Sequence, residues 1–211
     1  MPTNHNIASE IGTLKIERIK HSMKIIAICG QKGTGKDTLA SNIIDQLTKA
    51  NRPYKKLQLG DPAKQIICQA FDLRGDRDYN QFIRSLITLP NGNERTGKLI
   101  AKTIQMKLRQ GNAKYFIDGL EDAIYEYKGF HPEEFDDVVF IITDLRFKEE
   151  LKWCRNHNAT ILKVVRDGSY YDPLVDQAEI DNIFVSDIVD NNGDEQQLKQ
   201  LVIKRLNDWL Q

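Results

Sequence analysis

No apolar run in these 211 residues approaches a membrane span, which takes roughly 20 consecutive apolar residues. The expectation is a chain with no membrane partner, working in the cytoplasm. Charge of one sign is not in excess either. Lysine and arginine number 30, as do aspartate and glutamate, so the formal net charge is zero. Broad nucleic-acid and membrane surfaces normally show a basic excess, and no nucleic-acid partner is expected. A small anionic ligand needs only a few local cations. Cysteine is scarce. Cys29, Cys68 and Cys154 form no CxxC pair and each sits in an apolar or helical stretch, so buried free thiols are expected, not disulfides or metal ligands. His5, His21, His131 and His157 show no metal-ligand spacing, and no structural metal is expected. Residues 1–22 lack the continuous apolar core of a secretory signal. They read as a mobile, dispensable extension, or as an upstream start on a domain that begins at Met23, and the loose spacing of Ile7, Ile11, Leu14 and Ile16 also allows a short helix.

What is present is concentrated in Gly30-Gln31-Lys32-Gly33-Thr34-Gly35-Lys36-Asp37-Thr38. This run follows the apolar Ile25–Cys29 and precedes a helical stretch, Leu39–Ala50. Strand, glycine-rich turn and helix form the setting of a phosphate-binding loop. Glycines let backbone N–H groups converge on phosphate oxygens, and the helix N-terminus adds partial positive charge. Lys36 then reaches the outer phosphates. One position departs from G-x-x-x-x-G-K-[ST]. Asp37 follows the lysine, and the hydroxyl of Thr38 comes one step later.

Apolar runs alternate with amphipathic stretches along the rest of the chain. Strands are expected at Ile25–Cys29, Lys56–Leu59, Val138–Ile142, Ala159–Val165 and Ile183–Val189. Helices are expected at Lys36–Ala50, Pro62–Phe71, Gly97–Arg109, Ala113–Tyr127, Lys148–His157 and Asp194–Leu210. Residues 72–95 read as an insertion with one short helix, Tyr79–Thr88, and a flexible loop around Pro90-Asn91-Gly92-Asn93. Repeated β–α units imply an α/β fold with a parallel sheet covered on both faces.

Further candidate residues cluster at strand ends, where open α/β sheets bind ligands. Gly60-Asp61-Pro62-Ala63-Lys64 ends the second strand. Lys64 in a first helical turn opposes the helix dipole, which makes sense beside an anion; a solvated lysine is the plain alternative. Thr143-Asp144-Leu145-Arg146-Phe147 follows the Val138–Ile142 strand. Asp144 there can hold Mg²⁺ through water or orient a substrate, and the Arg146 fork suits phosphate oxygens. A structural Asp–Arg pair capping the next helix is the alternative. Arg166 ends a further strand ahead of a lid-like stretch. Asp190-Asn191-Asn192-Gly193 can line an adenine pocket or make a turn and helix cap. Arg95 and Lys98 are candidate ligands of a substrate phosphate.

The ordered set G-x-K-G-x-G-K-D-T, G-D-P-x-K, Arg95, T-D-L-R-F-x-x-E (Thr143 to Glu150), Arg166 and I-V-D-N-N-G (Ile188 to Gly193) resembles the deoxynucleoside monophosphate kinases of tailed bacteriophages and their bacterial relatives. The resemblance spans about residues 23–205. It implies a P-loop NTPase fold of adenylate-kinase-like type, three layers around a five-stranded parallel sheet. A substrate-binding insertion is expected at about 72–127 and a lid-like segment at about 167–182. It implies ATP- and Mg²⁺-dependent phosphorylation of a dNMP acceptor by a monomer or homodimer. Gly33, Thr34, Gly35, Lys36, Asp37, Thr38 and Asn191 would bind ATP, with Asp37 and Thr38 toward the metal. Lys32, Ala63, Lys64, Arg95, Asp144, Arg146 and Arg166 would serve the acceptor, and Lys36, Asp144 and Arg146 the transfer. Where the family often has a histidine and a serine before a glutamate, this chain has Asp176-Gln177-Ala178-Glu179. Phosphomevalonate kinases of animal type also carry a G-K-D loop, so another small-molecule kinase is the rival enzyme, and a nucleotide-binding protein without turnover the rival outside enzymes.

Overall fold

The computed structural model describes residues 23–169 and 185–211. The expectations for residues 1–22, for most of the lid-like segment, and for the first two residues of the Ile183–Val189 strand fall outside the described residues. The chain divides into two compact units. The first comprises the residues up to Leu57 and Glu126–Gln211. The second is Gln58–Tyr125.

The first unit is a β–α alternation. Strand β1 (Lys24–Gly30) leads to helix α1 (Lys36–Lys49) and then β2 (Tyr54–Gln58). After the second unit come β5 (Val139–Leu145), α6 (Lys148–Asn156), β6 (Thr160–Val165), β7 (Asp187–Asp190) and α7 (Glu195–Trp209). The five strands form one sheet in the order β2-β5-β1-β6-β7. β1 pairs in parallel with both β5 and β6, and β6 in parallel with β7. Strand β1 is thus central, which is why Ile25–Cys29 is unbroken by any polar residue. Alternate strand residues face α1 and α7. Ile26, Ile28, Val139, Ile141, Leu162, Val164 and Val189 pack with Leu39, Ile43 and Leu47 of α1 and Val202, Leu206 and Trp209 of α7. Each fully buried aliphatic side chain of this kind contributes about 1.5–3 kcal/mol, so this face fixes where α1 and the loop before it stand. On the other face Cys29 lies within electrostatic reach of Cys154 of α6. Both are buried free thiols, while Cys68 is only half-buried. Burial pushes the Cys29 thiol up to about 11 and that of Cys154 further still. No helix among the described residues is long and apolar enough to cross a membrane.

In the second unit, α2 (Asp61–Ala70), α3 (Asp76–Arg84), α4 (Gly97–Gly111) and most of α5 (Tyr115–Phe130) accompany a two-stranded hairpin, β3 (Leu86–Thr88) with β4 (Glu94–Thr96). Ile67, Phe82 and Ala101 form its small core, with Leu73, Tyr79 and Ile104 packed around them. The hairpin corrects the sequence expectation of a helix to Thr88 and a flexible loop. Helix α3 stops at Arg84, and Leu86–Thr88 pair antiparallel with Glu94–Thr96. Pro90 to Asn93 form the turn, where Gly92 N–H donates to Leu89 O at 2.8 Å, Leu89 N–H to Asn93 O at 2.8 Å, and Gly92 has φ +81°. The second strand also starts earlier than expected, at Tyr54, and the Val138–Ile142 strand runs on to Leu145.

Candidate functional site

The loop from Gly30 to Gly35 is shaped from below by neighbouring strands. Gly30 closes β1 with φ +146°, and a Cβ there would lie 2.5 Å from the Val164 carbonyl oxygen of β6. Gly35 is the N-cap of α1 with φ 93° and ψ 25°, a left-handed conformation that a β-carbon disfavours. Thr34 between them is 1% exposed and its hydroxyl donates to Gln31 O at 2.9 Å. No side chain caps the N-terminus of α1. Its first-turn N–H groups therefore lack the usual intramolecular acceptor and suit an anion.

Lys36 is the first residue of α1, and its chain curls back across the loop. Nζ donates to Gly30 O at 2.9 Å and to Gln31 O at 2.7 Å. Its pKa lies below the ordinary 10.5, chiefly because burial disfavours the ammonium and next because the Arg146 guanidinium stands near. Asp37 and Asp144 pull the other way. Four of the expected residues, Lys36, Asp37, Asp144 and Arg146, are thus one electrostatic cluster.

Asp144 and Arg146 owe their placement to an irregularity in β5. In the β1–β5 register Ala27 faces Ile142, but Cys29 faces Leu145. Two steps of β1 oppose three of β5, so one extra residue bulges out. Asp144 sits in that bulge with φ +65°, a conformation found sparingly outside glycine and often at functional sites. Glu150, only 2% exposed, pins the following turn. Its Oε2 accepts from the Arg146 N–H at 2.9 Å and the Phe147 N–H at 3.0 Å. The cap that sequence reading offered as an Asp–Arg pair is therefore built by Glu150. Thr143, 2% exposed, leaves its hydroxyl without a hydrogen-bond partner beside Asp144.

Around the loop, Lys32, Gly33, Asp37 and Thr38 are exposed. Asp37 has an 84% exposed carboxylate whose Oδ1 lies 3.6 Å from Lys56 Nζ of β2. Asn191 stands on the buried side. Its Nδ2 donates to Thr34 O at 2.8 Å, so the amide supports the loop from beneath; the sequence alone offers this stretch either an adenine pocket or a turn and helix cap. Arg166 is exposed at the end of β6, and its carbonyl accepts from the Ser169 N–H at 3.2 Å. Ser169 Oγ in turn donates to Gln31 Oε1 at 2.9 Å. Gln31, Lys56 and Ser169 were given no role of their own from the sequence, and Glu150 entered there as the closing acid of T-D-L-R-F-x-x-E. It is also the N3 acid of a capping pattern whose N-cap, Phe147, is of the wrong type.

In the second unit Lys64 has an anion beside it, but that anion is Asp76. Nζ lies 2.6 Å from Asp76 Oδ1 and 5.3 Å from the Tyr79 ring centroid. The hydrogen bond with Asp76 raises the lysine pKa above its ordinary value. Ala63 is fully buried, so its side chain is not available to a ligand. Arg95 is exposed on β4 and donates from Nη1 to its neighbour's carbonyl, Glu94 O, at 2.9 Å. Lys98 is exposed in the first turn of α4.

The described residues hold no group of three or more His, Cys, Asp or Glu side chains suited to a metal. A magnesium–nucleotide site asks for less, one or two carboxylates with phosphate oxygens and water. Asp37, Thr38 and Asp144 supply hard oxygens around Lys36, and the orphaned Thr143 hydroxyl beside Asp144 is a further oxygen for an ordered water. These residues fit the ion.

A model of the Sigma-54 interaction domain family matches residues 4–72, a stretch that takes in the loop but less than half of the chain. No curated protein matches the sequence significantly. Among solved structures, the chain is similar to the protein APE1195, at 12% identity and TM-score 0.45 over 90% of this chain and 98% of that one. It is similar to the APS kinase of Mycobacterium tuberculosis, at 11% identity and TM-score 0.41 over 88% and 98%. It is also similar to the shikimate kinase of Aquifex aeolicus, at 12% identity and TM-score 0.38 over 87% and 96%. The α/β P-loop fold stands on the strand order and on the loop joining β1 to α1.

Proposed function

We propose that this chain is an ATP-dependent kinase that phosphorylates a deoxynucleoside monophosphate to the diphosphate. The observation that carries the kinase reading is the Lys36 cluster. A lysine lies across a glycine loop at the head of an uncapped helix, with Arg146, Asp37 and Asp144 as its charged neighbours. The deoxynucleotide acceptor is supported by the ordered sequence motifs.

In the reaction an acceptor phosphate oxygen attacks the γ-phosphorus of ATP, the bond from that phosphorus to the β–γ bridging oxygen breaks, and ADP leaves. Such transfers need positioning and charge stabilisation more than covalent chemistry. The loop N–H groups and the α1 N-terminus hold the phosphates. Lys36 exchanges the Gly30 and Gln31 carbonyls for phosphate oxygens, and Arg146 pairs with the transferring group. Asp37, Thr38 and Asp144 would hold Mg²⁺, which supplies neutralising charge to the phosphates when bound. Lys32 and Arg166 in the first unit and Arg95 in the second are the candidate cations for the acceptor phosphate, and Lys64 becomes another when Asp76 is displaced.

The test is ADP release measured across dNMPs, NMPs and phosphomevalonate. Turnover highest with one or more dNMPs, absent in Lys36→Ala, is the expected result. Turnover with phosphomevalonate alone would replace the acceptor assignment. ATP binding with no turnover on any acceptor would make this a binding protein.

A further inference from the structure

The underside of the loop carries a residue whose role the proposed function does not need, and whose geometry is specific. Asn191 follows β7, far from the loop in sequence. Its backbone N–H donates to Val165 O at 2.9 Å at the end of β6, which fixes the residue against the sheet. Its side chain is buried, and Nδ2 donates to Thr34 O at 2.8 Å. A β-carbon on Gly35 would stand 2.2 Å from that same nitrogen. The loop's last glycine is therefore required twice, by its φ of 93° and by the amide beneath it.

We infer that Asn191 is a positioning residue for the phosphate loop, acting through Thr34 and Gly35 on whatever phosphate the loop holds, and not a reader of the nucleobase. The Thr34 carbonyl has to point down toward the sheet if the peptide N–H that follows it, on Gly35, is to point the other way. In a trans peptide the C=O and N–H are antiparallel. Asn191 holds the carbonyl in that direction. Neighbouring groups of the sheet share the task, with the Val164 carbonyl against Gly30, but among the described residues only Asn191 meets the loop through a side chain buried beneath Thr34 and Gly35. The inference rests on the phosphate-loop reading and is indifferent to the identity of the acceptor.

Calorimetric binding of ATP, GTP and inorganic tripolyphosphate to the full chain tests it. Loss of one such oriented hydrogen bond is expected to weaken binding roughly tenfold. Asn191→Ala should weaken all three ligands by the same factor. Asn191→Asp keeps the shape but turns an oxygen toward the Thr34 carbonyl and adds negative charge beneath the phosphates. It should weaken all three further at neutral pH and recover, relative to wild type, as acid restores a donating proton. Gly35→Ala should cost less affinity in the Asn191→Ala background than in wild type, because the nitrogen it collides with is gone. If Asn191→Ala loses ATP while keeping tripolyphosphate, the residue reads the base and the inference fails. Unchanged affinity for all three also overturns it. A wild-type chain that binds neither ATP nor tripolyphosphate overturns the phosphate-loop reading along with it. Circular dichroism on each variant confirms the fold, and Asn191→Asp and the Gly35 pair remain informative if Asn191→Ala does not fold.

Discussion

The two units hold their candidate residues in different ways. In the first, the loop is anchored by bonds from distant parts of the chain, with Asn191 on Thr34 and Ser169 on Gln31, while Glu150 makes a local bond that fixes the turn presenting Arg146. The Asn191 bond is buried and the other two are part-buried, and the groups they fix are backbone peptides or the frame of a side chain. In the second, Lys64 meets Asp76 twelve residues away, with 82% of that carboxylate exposed, and Arg95 meets its own neighbour. Exposed ion pairs contribute little, commonly 0–1 kcal/mol, and are readily exchanged for a ligand. Under the proposed kinase reading, the first set would hold phosphates in place and the second would yield to an acceptor.

Removing the lysine at the centre of the rigid cluster breaks the comparison most strongly. Lys36→Ala should lower kcat by about two orders of magnitude or more, the scale of a lost electrostatic contact to the transferring group. The melting temperature should stay close to wild type, because the bonds lost are two exchangeable contacts to loop carbonyls. Single-turnover rates together with a thermal melt check both halves. Near-normal turnover in the folded variant ends the assignment.

On the replaceable side, Lys64→Ala should weaken dNMP binding by roughly tenfold and leave ATP binding within error. Stability should fall by no more than about 1 kcal/mol, as suits an exposed pair. Asp76→Ala sharpens the contrast. It removes the competitor of the acceptor phosphate, and should tighten dNMP binding. Equal losses for ATP and dNMP in Lys64→Ala would remove the distinction between the two sets of contacts.

Asp37 lies between these cases, in the rigid helix but exposed and loosely paired with Lys56. Asp37→Asn should raise the Mg²⁺ concentration for half-maximal rate severalfold, on the order of one exposed charge interaction with a bound cation. Lys56→Ala should lower that concentration, since it takes away a competing cation. Asp37→Ser, which restores the commoner hydroxyl, should keep more activity than Asp37→Ala. Wild-type metal dependence in all of them would move the ligand role to Thr38 or Asp144.

What the sequence disclosed follows the same division. The loop, its strand and α1 were legible because each carries its own local signal: an unbroken apolar run, glycines ending in a lysine, and Leu39, Ile43 and Leu47 at helical spacing. The bulge at Asp144 was not. It depends on how β5 registers against β1, a relation between segments far apart in the chain. Asn191 was seen, but its partner was not, for the same reason. The β3–β4 hairpin was missed because Leu86–Thr88 and Glu94–Thr96 are only three residues each and mostly exposed, with no alternation to mark a buried face. The expectation that an anion stands beside Lys64 came from helix electrostatics. That reasoning specifies charge without specifying whose, and in this structure Asp76 meets it.

The smallest expected effect concerns the frame that the loop depends on. Asp187 at the start of β7 accepts hydrogen bonds from Arg205 and from Trp209 Nε1 of α7, and so ties the last helix to the sheet edge. Burial opposes ionisation of Asp187, yet those two bonds outweigh it, and its pKa lies below the ordinary 3.8. A carboxyl depressed in the folded state stabilises the protein above its unfolded pKa, and that contribution is lost as pH falls through the folded value. At pH 7 Asp187→Asn should therefore melt a few degrees below wild type, in line with a loss of about 1 kcal/mol in a protein of this size. The gap should begin to close below about pH 4, where the unfolded aspartate takes up its proton, and close further as pH falls through the lower folded value. Melts of both proteins from pH 7 to pH 3 check this. A gap that stays constant to the lowest pH would assign the contact to packing of Trp209 and remove charge from the account. A gap that closes would show the sheet edge of the first unit tied to its last helix by charge, where the loop is tied down by the neutral amide of Asn191 and the hydroxyl of Ser169.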